Sequence, residues 1–274
     1  MRLAMTLLNT RKDQLADRII KAAKSHGAAL AGIANSALLK DSPSHRIYGK
    51  MSRYAGVGSS DRSNQKRSGT IEWPESARSA VVIAIAHETD KPDLDWWDGH
   101  QGTQGNRILI KIINTLAKWV EQELNINTHP LPYHIERGGI FLKDAAVLAG
   151  LGCIGKNNLL LTPEFGPRVR LRAMLLDAEL EPDGLMDFNP CEGCDAPCME
   201  NCPPKAFSRV IYSPVEMDTD DLPGRNGCYD RTLCNIQMEK DIKNADLVKA
   251  SDNHEPSALI KYCRRCEIIC PAGK

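Results

Sequence analysis

The chain has few aromatic residues; they make up 5 % of its 274 positions. Any core must therefore be aliphatic, and an apolar fraction of 42 % is enough to build one. It also lacks a net charge, since 35 Lys and Arg balance 35 Asp and Glu. A basic excess is the usual footprint of non-specific nucleic-acid binding, so that class is excluded for the chain as a whole and only a local basic patch could serve it. Long apolar runs are missing too. Residues 1–8, MRLAMTLL, are too short for the apolar region of a signal peptide, and no small-residue cleavage site follows them. The stretch from Ile140 to Leu161 is broken by Lys143, Asp144 and Lys156 and does not read as a membrane span. These absences make the cytosol the expected home, where structural disulfides are rare. What the chain does have is ten cysteines. In a reducing compartment, clustered cysteines read as metal ligands or redox centres.

Periodicity gives the organisation. Leu15, Ile19, Ile20 and Ala23 form one stripe of a helix from Lys12 to His26, with Gly27 at its end. A strand is expected from Ala28 to Ile33. Residues 40–70 are polar, with Lys40, Arg46, Lys50, Arg53, Arg62, Lys66 and Arg67 against Asp41 and Asp61. They read as a solvated loop, or as a flap that touches an anionic ligand. Ala80 to Ala86 is an unbroken apolar run, the mark of a strand buried on both faces. Helices are expected from Arg107 to Leu124 and from Phe141 to Leu148, then strands from Asn158 to Leu161 and from Arg168 to Leu176. In the last, Arg168, Arg170 and Arg172 alternate with Val169, Leu171 and Ala173, the period of a half-buried strand. Composition changes near Pro182. Beyond it lie nine of the ten cysteines and few aliphatic runs, as expected where metal centres supply part of the folding energy.

The cysteines fall into two motifs, Cys191-x2-Cys194-x3-Cys198-x3-Cys202-Pro203 and Cys263-x2-Cys266-x3-Cys270-Pro271. In the two-cluster ferredoxin pattern C-x2-C-x2-C-x3-C-P, three close cysteines wrap one cubane and the fourth ligates the other. The first motif matches with one residue inserted before Cys198; the second keeps its spacing and lacks one cysteine. The motifs supply seven of the eight thiolates that two [4Fe–4S] clusters need, so the eighth is Cys228, Cys234 or Cys153. Zinc is the competing reading. A zinc ribbon has its two C-x2-C pairs roughly 15–20 residues apart, far closer than Cys194 and Cys263.

Residues 150–157, GLGCIGKN, fit G-x-G-x-x-G and nearly fit a P-loop. Both patterns demand a strand before and a helix after; here a helix comes before and a strand after. Asn157 also replaces the hydroxyl that a P-loop offers to Mg²⁺. The segment reads instead as the turn that ends a helix, or as a place where backbone closely approaches a cofactor.

With these residues on the page, the chain resembles the epoxyqueuosine reductase family, which is related to the corrinoid reductive dehalogenases. The resemblance spans about residues 70–271. It is carried by residues 149–157 (AGLGCIGKN), residues 163–171 (PEFGPRVRL), residues 73–82 (WPESARSAVV), Arg231-Thr-Leu-Cys234 and the two cysteine motifs. It implies that Cys191, Cys194, Cys198 and Cys270 hold one [4Fe–4S] cluster and that Cys202, Cys234, Cys263 and Cys266 hold the other. Cys228 and Cys153 are then spare. Cys153 stands where the family usually has a bulky aromatic, and is expected to be a small buried thiol. The turn of Gly150, Gly152, Cys153, Gly155, Lys156 and Asn157 is implied to line a corrinoid pocket. The D-x-H-x-x-G cobalamin motif, on which the family does not depend, is missing; the nearest string begins at Asp252. The family's proton-donating Asp falls, by ungapped counting, on Glu136, with Tyr133 and His134 as competing donors.

The mixed helices and strands, with the change of composition near Pro182, point to an α/β (α+β) cofactor domain, residues 1–185, followed by a small ferredoxin-like double [4Fe–4S] domain, residues 186–274. The expected function is an iron–sulfur oxidoreductase that passes electrons through two [4Fe–4S] clusters to bound cobalamin, for reduction of a small molecule or cofactor. The alternative is an electron-transfer protein that reduces the cofactor of a partner such as a corrinoid protein. Either takes electrons from an external donor of the ferredoxin or flavodoxin type. A tRNA substrate is not expected, because charge is balanced and no counterpart of the helical-repeat extension of epoxyqueuosine reductases is present.

Overall fold

The computed structural model describes residues 2–51, 73–98, 102–248 and 257–274; the side chains of residues 2–11, Glu136, Val248 and Ser257 lie outside it. The apolar run at 80–86 is strand β2 (Ser79–Ala86). It sits second in a four-stranded sheet of order β1, β2, β6, β3, with β1 Leu30–Asn35, β3 Thr128–Pro130 and β6 Val169–Leu176. Every neighbouring pair is antiparallel, so the sheet is of the α+β kind. Antiparallel sheets commonly leave one face wet, but this one is covered on both. Helices α1 (Arg2–Ser25) and α4 (Gln104–Leu124) pack on Ile33, Val81, Ile83, Met174 and Leu176. Helix α5 (Leu142–Leu148) packs on Ala34, Ala80, Val82, Ala84, Ala173 and Leu175. Two-sided cover explains why the strand alternates large and small residues rather than apolar and polar ones.

Helix α1 begins ten residues before the expected Lys12. It ends in a Schellman turn: Gly27 N–H donates to Lys24 O, Ala28 N–H donates to Ala23 O, and Gly27 has φ +106°. Thr103 caps α4 by accepting from Asn106 N at 3.1 Å. The strand expected at 158–161 shrinks to β5 (Leu160–Leu161), paired with β4 (Cys153–Ile154). Asn158 cannot join it, because its φ of 56° is left-handed. Strand β6 is not half-buried, as its alternation suggested. Arg168 and Arg172 are as buried as their apolar neighbours, and Arg170 is largely covered.

Part of the polar segment is ordered by a buried carboxylate. α2 (Ser36–Lys40) and α3 (Pro43–Arg46) are short helices, followed by a 3₁₀ turn at Tyr48–Lys50. Asp144, in the first turn of α5, accepts from Ser42 Oγ (2.9 Å), Ser44 N (2.8 Å) and Ser44 Oγ (2.8 Å). Burial lowers the His45 pKa to about 4, against the pull of Asp144. Its neutral ring accepts from Phe141 N at Nε2, so Nδ1 carries the proton and donates to Ser42 Oγ at 2.7 Å. The flap reading, with Arg53, Arg62, Lys66 and Arg67, falls outside the described residues, as does the string beginning at Asp252.

The cysteine-bearing part is built from short elements: α6 (Pro197–Glu200), α7 (Pro214–Met217), α8 (Arg231–Lys243), the hairpin β7 (Asp246–Val248) and β8 (Ser257–Leu259), and α9 (Arg265–Ile268). Among the described residues no helix is long and apolar enough to cross a membrane.

Gly32 shows how tightly α5 lies on the sheet. A Cβ there would sit 2.1 Å from Ala149 O. We therefore expect Gly32→Ala to cost about 1–3 kcal/mol through overpacking and to lower the melting temperature by several degrees. Gly49→Ala, with nothing within 4 Å, should leave it unchanged; equal melting shifts in calorimetry would contradict this packing.

Candidate redox site

The structure gathers eight cysteines into two groups, and each group draws on both motifs. Cys191, Cys194, Cys198 and Cys270 line one small cavity. Burial, reinforced by the neighbouring thiols of Cys270, Cys191 and Cys194, pushes the Cys198 pKa up to about 11. Cys202, Cys234, Cys263 and Cys266 form the second group, around Ala206 and Phe207. There, burial and then Cys234, Cys263 and Cys202 push Cys266 up to about 12. These are the two sets that the family resemblance implied. Cys228 stands outside both, its thiol donating to Asn226 O at 3.4 Å. Among the described residues no group of three or more His, Cys, Asp or Glu closes on a single metal-ion position. All ten thiols are free of disulfides.

Local backbone explains the placement. The residue inserted before Cys198 is absorbed by Ala196, whose left-handed φ of 54° starts α6 and turns Cys198 inward. That conformation costs about 1–2 kcal/mol for a residue with a Cβ. Cys234 lies in the first turn of α8, fixed by the N-cap Asp230, which accepts from Leu233 N at 3.0 Å. Arg209 pairs with the buried Asp230. Backbone N–H groups already point at sulfur: Lys156 N to Cys191 Sγ at 3.4 Å and Ala206 N to Cys202 Sγ at 3.3 Å. Such donors favour thiolates and tune the potential of a cluster held by them.

The glycine-rich turn clamps both cysteine loops. Lys156 Nζ donates to Cys194 O at 2.9 Å, and Asn157 Nδ2 donates to Cys266 O at 3.2 Å. Its glycines are needed for protein contacts. A Cβ on Gly152 would meet Leu161 O at 1.9 Å, and one on Gly155 would meet Leu161 Cδ1 at 2.6 Å. Gly150 faces Gly184 O and Asp183. The helix before and the strand after this turn rule out the P-loop context, as expected. Cys153 is half-buried rather than buried, packed beside Cys191 and close to Arg225. Glu136 lies in a 3₁₀ turn, Ile135–Arg137, and its side chain is outside the described residues. Tyr133 is exposed, and Arg172 stacks 5.9 Å from its ring centre.

Sequence reasoning missed the groups that fasten this region to the sheet. Arg168 donates to Ala272 O (2.9 Å) and Gly273 O (2.6 Å), beside Cys270. Arg172 donates to Asn106 Oδ1. Arg170 bridges Asp95 and Glu267, both at 2.8 Å. Arg264, between Cys263 and Cys266, reaches the same two carboxylates and donates to His87 O at 3.0 Å. The fully buried His87 lies 2.8 Å from Asp95 through Nδ1. The available signal was a row of three arginines on a strand with apolar neighbours throughout. A buried guanidinium needs acceptors; the second motif and the residues just after it supply those of Arg168 and one of Arg170's, and Asp95 and Asn106 supply the rest.

Burial raises the Asp95 pKa, but the His87 bond, Arg170 and Arg264 outweigh it and hold the carboxyl below its ordinary value. The stabilisation this confers is complete above about pH 4, the unfolded carboxylate value, and is lost as pH falls through the lower native one. We expect Asp95→Asn to lose about 3 kcal/mol at pH 7 and to show a shallower loss of stability below pH ~4 than the parent. Denaturant titrations at neutral and acid pH measure both; parallel pH profiles would refute the assignment.

No family model matches the chain. It is 27 % identical over 219 residues to the epoxyqueuosine reductase of Synechocystis sp. (strain ATCC 27184 / PCC 6803 / Kazusa), a match covering 76 % of this chain and 67 % of that one. It superposes on the epoxyqueuosine reductase from Streptococcus thermophilus with a TM-score of 0.58 and 21 % identity, covering 93 % of this chain and 65 % of that one. It also superposes on a reductive dehalogenase whose structure was described as suggesting a mechanism for B12-dependent dehalogenation. There the TM-score is 0.55, identity is 18 %, and coverage is 84 % of this chain and 30 % of that one. The chain thus spans about two thirds of the epoxyqueuosine reductases and under a third of the dehalogenase. By sequence this chain is similar to epoxyqueuosine reductases, and it shares its fold with them and with reductive dehalogenases.

Proposed function

We propose that this protein is an iron–sulfur oxidoreductase carrying two [4Fe–4S] clusters and delivering electrons to a corrinoid, for reduction of a small molecule or cofactor. The observation that carries the reading is the sorting of eight cysteines into two groups of four, each mixing both motifs. The donor set fits the clusters. Burial makes Cys198 and Cys266 resist ionisation, and cluster iron is the cation that makes thiolates stable there. When bound, the clusters supply one-electron transfer. The protein's own part is to hold the two thiol sets near each other, aim N–H donors at sulfur and shed water through Leu161, Phe188, Phe207 and Tyr229.

Similarity to a dehalogenase described as B12-dependent supports a corrinoid as acceptor. The turn 150–157 does not supply its cradle, since protein fills the space beside the glycines. That observation favours a second reading, an electron carrier that reduces the cofactor of a partner protein. The cytosol is the proposed location, and tRNA is not the proposed substrate.

Anaerobic preparations should hold about eight irons and eight sulfides per chain. Cys234→Ala should lose about half of both, and Cys228→Ala none. Stoichiometric zinc without sulfide would remove the cluster reading, and loss of iron on Cys228→Ala would reassign the eighth ligand. Cobalamin titration separates the two acceptors: saturable spectral change supports the corrinoid enzyme, and its absence supports the carrier.

A further inference from the structure

We propose that the outer face of α9 is the docking surface for a small acidic electron-carrier protein; the proposal rests on the cluster reading above. Helix α9 is a single turn that carries Cys266 of one thiol set and ends two residues before Cys270 of the other. Glu267 points inward to Arg170 and Arg264 and is 4 % exposed. Arg265 and Ile268, three positions apart and so on one side, point outward. Ile268 is 46 % exposed, and among the described residues Arg265 makes no ion pair. Ile268 is two residues from a thiol of each set, so a carrier seated on it comes close to both.

Charge selects the occupant. The chain is neutral overall, but the two motifs present opposite signs to solvent. The second exposes Lys261, Arg265 and Lys274, with Lys261 partly offset by Asp246 at 2.6 Å. The first exposes Glu192, Asp195 and Glu200, and the nearby Lys205 donates to the Glu200 carbonyl rather than its carboxylate. An exposed apolar side chain in a segment whose exposed charges are cationic suits an acidic partner: the apolar contact gives closeness, and the cations steer the encounter. The transfer is one electron. The reduced carrier is oxidised by one electron, the cluster of Cys202, Cys234, Cys263 and Cys266 is reduced by one, and no bond or proton moves.

The test uses the full chain, reconstituted anaerobically, with iron, sulfide and dithionite-reduced EPR spectra recorded first. Two acidic probes are then used, flavodoxin hydroquinone and reduced [2Fe–2S] ferredoxin. Second-order rates of cluster reduction are followed by stopped flow, and binding of the oxidised carrier by calorimetry. We expect the rate to fall steeply with salt. Arg265→Glu with Lys274→Glu should slow it by roughly tenfold at low salt and flatten the salt dependence. Ile268→Gln should weaken binding at every salt concentration, and Asp195→Lys should not slow the reaction. Reduction by dithionite should be the same in all variants. If the double reversal loses iron, Arg265→Gln replaces it, with a slowing of roughly threefold. A salt-independent rate, or slowing by Asp195→Lys with none from the Arg265 variants, overturns the docking face. A parent protein without iron and sulfide overturns the cluster reading and the docking face with it.

Discussion

One electrostatic contact organises the molecule. Arg170 on the central sheet and Arg264 in the second cysteine motif share two carboxylates, Asp95 and Glu267. None of the four could be buried alone, because removing a partner from a buried pair costs about 3–5 kcal/mol. Together they neutralise one another, and His87 closes the group from the sheet side. The contact fixes the loop that carries Cys263 and Cys266. It sets which side of α9 faces out, and the Trp97–Ile260 bridge lies next to it in the chain.

A second row of bonds runs parallel to it. Arg168 holds the carbonyls after Cys270, and Lys156 and Asn157 hold those of Cys194 and Cys266. The thiols are thus positioned from outside, by polar groups that address their backbone. This leaves the sulfur lone pairs free for ligation and places N–H donors behind them. It also concentrates eight thiols in two small volumes, a configuration that a bound cation stabilises and that repulsion between bare thiolates opposes.

Much of this was legible in the residues. The run at 80–86 and the α4 stripe announced themselves through period, and the cysteine motifs through spacing. Pairing within the two thiol groups was legible only through family likeness, because spacing alone left Cys153, Cys228 and Cys234 open. The burial of β6 was not legible, since alternating arginines look the same whether they face water or a carboxylate supplied by residue 267. Nor was the Ser42–His45–Asp144 clip, which orders a segment whose composition is that of a loop. In both cases the deciding partner lies about 100 residues away, beyond the reach of local pattern. Cys153 was judged by its size, which does not tell a half-buried thiol from a buried one.

The mixing of motifs has a consequence for biosynthesis. Cys270 completes the group begun by Cys191, Cys194 and Cys198, so that cavity has no fourth wall until residue 270 has left the ribosome. At about 5–20 residues per second, the interval after Cys198 is roughly 4–14 s. Through that time the nascent chain presents three unclosed thiols. Both halves of the site therefore form together, and loss of Cys270 alone would disable the group that the first motif begins.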